Sequence, residues 1–189
     1  MKKLLFTILI AFALFGVKSV HADTFGNPTE PGNSVGGILA NEDCASSTVP
    51  LSGTLNSITI VASSSPTLAT TGGVAIRADD GTGTKPATAS PLATATYALG
   101  TKTSYTVPIS TSLTGGTLYW LCGWANGQWN YYYGSSAPPG FKPNSLGSWP
   151  TWYSGSTYGS YTVRRMAIYA TYTPTTASTK TKRPVPIFF

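Results

Sequence analysis

Charged side chains make up only 10% of this 189-residue sequence, and histidine occurs once, at His21. Beyond that position the chain has neither the commonest general base nor the commonest transition-metal ligand. The acids number six. Glycoside hydrolysis asks for two carboxyl groups about 5–9.5 Å apart across a sugar bond. The adjacent acidic pairs are Glu42/Asp43 and Asp79/Asp80, and neighbours on a strand point to opposite faces. Gly32-Asn33-Ser34-Val35-Gly36 spells the G-x-S-x-G string of a nucleophile elbow. It stands in a Pro/Gly-rich stretch, with no histidine to take the proton. These shortages argue against an enzyme.

Long apolar runs are also missing, apart from Leu4–Val17, fourteen residues behind Met1-Lys2-Lys3. With Val20-His21-Ala22 following, this reads as a secretory signal peptide over residues 1–22, too short to span a bilayer comfortably. The expected location is therefore secreted, extracellular or at the cell surface, the periplasm included. The formal charge of +6 belongs to the ends of the chain. Between Asp23 and Pro174 stand six bases (Arg77, Lys85, Lys102, Lys142, Arg164 and Arg165) and six acids, so six minus six leaves zero. Nucleic-acid binding needs a basic stripe that neutralises several phosphates, and this body has none.

Cysteine is limited to Cys44 and Cys122. In an exported chain an even count favours a disulfide over a metal or redox site. Such a bridge closes most of a domain, an ideal chain-entropy gain of roughly 4–5 kcal/mol. Helical periodicity is scarce too. In its place come short β-branched and aromatic runs between Gly/Pro punctuation: Leu55–Ala62, Val74–Ala78, Ala93–Leu99, Ser104–Ile109, Thr117–Ala125, Gln128–Tyr133 and Arg164–Tyr172. Weaker runs lie at Val35–Leu39 and Ala45–Val49. Asp79-Asp80-Gly81 and Asn126-Gly127 carry turn chemistry, and the second predicts a hairpin between the runs on either side of it. Gly72-Gly73, Gly115-Gly116 and Pro138-Pro139-Gly140 are expected to break pairing. Such a pattern predicts an all-β, antiparallel β-sandwich or jelly roll in one domain, residues 23–172. Residues 173–189 read as a disordered Thr/Pro/basic tail, with no stable membrane anchor.

What the chain has in surplus is aromatic. All five tryptophans, seven of the eleven tyrosines and Phe141 fall between Tyr119 and Tyr161. Leu118, Trp120, Cys122 and Trp124 alternate onto one strand face, which assigns the two tryptophans to the core. Trp129, Tyr131 and Tyr133 share one face of the next run. Trp149, Trp152 and Tyr153 lie in a Ser/Gly/Pro loop, where burial is harder to arrange. A sugar ring offers an apolar face that can stack on such rings, while Asn126, Gln128 and Asn130 could hydrogen-bond its rim. The same rings would also serve as a lid on the core or as a protein contact. No cofactor is expected. Asp79 and Asp80 could also be read as Ca²⁺ ligands, but two acids are few for a cation that wants six or more oxygens.

The order LNSITIV (Leu55–Val61), VAIRADDGTGTKP (Val74–Pro86), SYTVPISTSLTGGTLYWL (Ser104–Leu121), NYYYGSS (Asn130–Ser136) and RRMAIYATY (Arg164–Tyr172) resembles a loosely defined family. Its members are jelly-roll, carbohydrate-binding-module-like domains of bacterial secreted and surface proteins and of phage tails. The likeness covers residues 24–172 and implies fold and location more than ligand. Cys44, Cys122 and the Trp149–Trp152 stretch depart from its pattern. Two functions follow as expectations. One is an exported, non-catalytic module for a neutral polysaccharide or glycan. The other is a structural or protein-interaction module of a surface assembly, with self-association or a surface-protein partner.

Overall fold

β-Branched and aromatic residues alternate with small polar ones along most of this chain, and the described residues form fourteen strands and no helix. The computed structural model describes residues 21–28, 34–39, 42–62, 69–87, 90–100, 103–134, 140–143, 158–161 and 165–175. Over 34–39, 128–134, 140–143, 158–161 and 165–166 it describes the backbone alone. The first strands are β1 (Asp23–Gly26), β2 (Ser34–Leu39), β3 (Asp43–Thr48), β4 (Gly53–Val61), β5 (Thr71–Ala78), β6 (Ala93–Ala98) and β7 (Ser104–Pro108). Then come β8 (Ser112–Leu113), β9 (Leu118–Ala125), β10 (Gln128–Gly134), β11 (Gly140–Pro143), β12 (Tyr158–Tyr161), β13 (Arg165–Met166) and β14 (Ile168–Pro174).

Eight of these strands nest as antiparallel pairs: β5 with β6, β4 with β7, β3 with β9, and β1 with β14. Further pairing of β14 with β4 and of β9 with β5 joins them into two sheets, β1-β14-β4-β7 and β3-β9-β5-β6. Nested pairs shared between two facing sheets are the winding of a jelly-roll sandwich. The remaining strands are additions to that frame. β8 pairs with β4, and β11 and β12 prolong the second sheet beyond β3. β2, from the β1–β3 connection, joins β10 and β13, from the β9–β14 connection, in a separate sheet ordered β13-β10-β2.

The main core lies between the two frame sheets, where Leu55, Ile58, Ile60, Val74, Ile76, Leu121, Ile168 and Tyr172 are fully buried. Alternation produces it directly: β7 buries Tyr105 and Val107 and exposes Ser104, Thr106 and Pro108. Phe25 meets Tyr172 edge to face at a centroid distance of 5.7 Å, the arrangement their ring quadrupoles favour. Gly26 turns there with φ of 106°, and a Cβ on it would stand 2.7 Å from Ile168 O.

Several expectations change. Asn126-Gly127 makes no hairpin, because both edges of β9 are taken by β3 and β5 and β10 pairs instead with β2 and β13. Gly72 and Gly73 do not break pairing; they lie buried inside β5. A Cβ at Gly72 would sit 2.6 Å from Tyr97 Cζ, so the glycine makes room for that ring. Arg164–Tyr172 is two strands, β13 and β14, parted at Ala167. Trp120 and Trp124 are buried as expected. Yet the main core takes Tyr119, Leu121 and Ala125 from β9's other face, because this central strand is buried on both.

Candidate functional site

The aromatic surplus begins where β9 leaves the frame. Asn126 marks the exit: its Oδ1 accepts from Thr70 N (2.9 Å) and Thr71 N (3.0 Å), and its Nδ2 donates to Thr70 Oγ1 (3.0 Å). Its backbone N–H donates to Thr71 O at 3.0 Å. Both Oδ1 lone pairs are thus engaged, and one amide N–H is left for any ligand. The sequence marks Asn126 as a turn residue and as a candidate for a sugar's hydroxyl rim; the structure uses it as a clamp.

Gln128, Trp129, Asn130, Tyr131 and Tyr133 all lie on β10, in antiparallel register with β2. Trp129, Tyr131 and Tyr133 stand opposite Ile38, Gly36 and Ser34, while Gln128, Asn130 and Tyr132 stand opposite Leu39, Gly37 and Val35. Because direct partners share a face, positions 129, 131 and 133 fall on one face of β10 and positions 128 and 130 on the other. On the face of positions 129, 131 and 133 the neighbouring strand carries Ile38, Gly36 and Ser34, the last two of them small. Successive positions on that face repeat about every 6.8 Å. Trp149, Trp152 and Tyr153 lie outside the described residues.

A second grouping lies on the outer face of the β3-β9-β5 sheet; its disulfide is the one the sequence predicts, while the Arg77–Glu42 pair beside it escaped the sequence reading. Cys44 and Cys122 are direct partners across β3 and β9, with Cα atoms 4.0 Å apart, and form the disulfide. Trp120 and Ala75 complete a small buried cluster around it. Beside it Arg77 grips Glu42 bidentately, Nε to Oε1 at 2.7 Å and Nη2 to Oε2 at 3.0 Å, with both side chains 1% exposed. A carboxylate oxygen of Glu42 and the two sulfurs lie within 4.8 Å of one another. The sulfurs are bound to each other, however, and the carboxylate is held by Arg77, so the set is structural. The legible signal was a lone arginine inside the apolar run VAIRA.

Asp79 and Asp80 build the β5–β6 loop. Asp79 Oδ2 accepts from Gly81 N (2.9 Å) and Gly83 N (2.8 Å), and its Oδ1 accepts from the indole Nε1 of Trp120 (2.9 Å). Gly81 and Gly83 take φ of 93° and 72°. Asp80 Oδ1 accepts from Thr82 N at 3.0 Å and from the Thr82 hydroxyl, and Lys85 Nζ lies 3.6 Å from Oδ2. The Thr82 hydroxyl bond is the main reason the Asp80 carboxyl titrates below its ordinary range. This is turn chemistry; a cation would have to compete for oxygens the loop already uses. Ser34 of the G-x-S-x-G string opens strand β2 rather than a helix.

Comparison with protein-family models and with curated proteins finds no match to this chain. The disulfide is of the kind formed in oxidising compartments, and no helix among the described residues is long and apolar enough to cross a membrane.

Proposed function

We propose that the chain is an exported, non-catalytic module that binds a neutral polysaccharide or glycan through the rings carried in the β9–β14 connection. One observation carries this reading. Trp129, Trp149 and Trp152 all belong to that connection, an addition to the eight-strand frame. Tyr131 and Tyr133 share Trp129's face of β10 opposite small residues of β2. Rings beside small neighbours give a sugar's C–H face somewhere to stack. The hydroxyl rim would then find Ser34 on that face, and Gln128 and Asn130 only at its ends or through the opposite surface. The resemblance to carbohydrate-binding-module-like jelly rolls points the same way, as does the secretory leader.

The test is electrophoresis of the exported chain through native gels containing a neutral glycan, with a glycan array to choose it. Retarded migration that Trp129→Ala or Trp152→Ala abolishes, with circular dichroism unchanged, is the expected result. An array at background throughout would overturn the reading.

A further inference from the structure

The free edge of β6 offers an unguarded place for another strand. Leu99 N–H donates to Thr70 O at 2.9 Å, and Thr71 O, one residue on, faces the other way to accept from Asn126 N. In an antiparallel ladder this alternation fixes the direction of every backbone group. Ala93, Ala95 and Tyr97 turn their N–H and C=O toward β5. Thr94, Thr96 and Ala98 turn theirs outward, where no further strand lies among the described residues. Monomeric proteins usually guard such an edge with charge, proline or a bulge. β7 has Pro108 and β1 has Asp23, but β6 itself, ATATYA, holds neither proline nor charge, Pro91 stands two residues ahead of it, and no charged residue occurs from Pro86 to Thr101. Thr94, Thr96 and Ala98 are exposed along β6, and just before it stands Leu92, one of two exposed large apolar residues among those described.

We infer that β6 pairs antiparallel with β6 of a second copy of this chain, across a two-fold axis perpendicular to the sheet. Such an axis keeps both outer faces on the same side, so even-numbered residues must meet even-numbered residues. Centring the register on Thr96 places it opposite itself and sets Thr94 opposite Ala98 of the other copy. All the outward N–H and C=O groups are then paired. With no charge on the edge, identical copies meet without repulsion, and a charged partner strand gains nothing by pairing here. This inference is independent of sugar binding.

Sedimentation of the exported chain over a concentration series reads the association directly. The expected result is a dimer mass that falls to half in Thr96→Pro, which removes one outward N–H, and in Thr96→Lys, which sets like charges beside the axis. Both variants should keep the wild-type circular dichroism, since neither touches the β5 ladder. Under oxidation Thr96→Cys should cross-link, because facing residues in a hydrogen-bonded pair lie about 5.5 Å apart at Cα, within disulfide reach. Thr94→Cys should not, being some four residues, about 14 Å, from its own copy. A monomer at all concentrations, a dimer untouched by both variants, or equal cross-linking at 94 and 96 overturns the inference.

Discussion

The hydroxyl of Tyr97 is buried and has no hydrogen-bond partner among the described residues. Its ring lies 5.0 Å from that of Tyr105, whose own hydroxyl donates to Gly100 O at 2.6 Å. Leaving a buried hydroxyl unpaired costs roughly 1–3 kcal/mol. Tyr97→Phe, which keeps the ring, should therefore raise stability by about 1 kcal/mol in denaturant titrations. Burial, and secondarily Tyr105, pushes the Tyr97 phenol well above its usual value. The unfolded tyrosine ionises near pH 10 while the native one stays protonated. Its contribution is therefore complete below about pH 10 and is lost as the pH rises further. Tyr97→Phe should lessen that alkaline loss, measured as the unfolding midpoint against pH. The Arg77–Glu42 pair behaves differently, because two buried charges there face each other in a bidentate ion pair. Arg77→Met or Glu42→Gln alone should cost about 3–5 kcal/mol, whereas Arg77→Met with Glu42→Leu should recover most of it.

At the scale of elements, β3 and β9 are held twice, by their ladder and by the disulfide. Cys44 and Cys122 are 78 residues apart in sequence, so the bridge constrains the unfolded chain strongly. Replacing both with alanine should cost about 2–5 kcal/mol in guanidinium unfolding and leave the β-sheet circular dichroism intact. Reductant should then have no effect on the variant's midpoint. Most of the strands were legible in the sequence as runs rich in β-branched or aromatic residues between turn residues, whereas the short β1, β8, β11 and β12 were not. Pairing was less so. Asn126-Gly127 has the composition of a tight hairpin turn, and no local rule reveals that β9 has no free edge. Alternation correctly grouped Trp120, Cys122 and Trp124, but it assumes one buried face, whereas β9 has two. Glu42 and Arg77, 35 positions apart, become a pair only once β3 and β5 flank β9. The rings of β10 were legible as a shared face; that Gln128 and Asn130 stand on the other was implicit in the same alternation. Trp149, Trp152 and Tyr153 remain a matter of composition.

For the molecule as a whole, the distribution of charge distinguishes how it would hold a ligand. Six bases and six acids cancel between Asp23 and Pro174, and the uncompensated charge sits at the ends, in Lys2, Lys3 and Lys18 and in Lys180, Lys182 and Arg183. Stacking of rings on a neutral sugar draws on dispersion and water release, which salt does not screen. A contact made by the basic tail would instead weaken as the Debye length falls from about 10 Å at 0.1 M to about 3 Å at 1 M salt. No histidine follows His21, so the frame and its aromatic connection carry no group that ordinarily titrates between about pH 5.5 and 8. Retardation by a neutral glycan should therefore change less than about two-fold across that pH range and between 0.1 M and 1 M salt. Affinity electrophoresis and isothermal titration both read this. A loss of ten-fold or more in high salt would place the contact on the tail's lysines and arginine and remove the rings of β10 from the account.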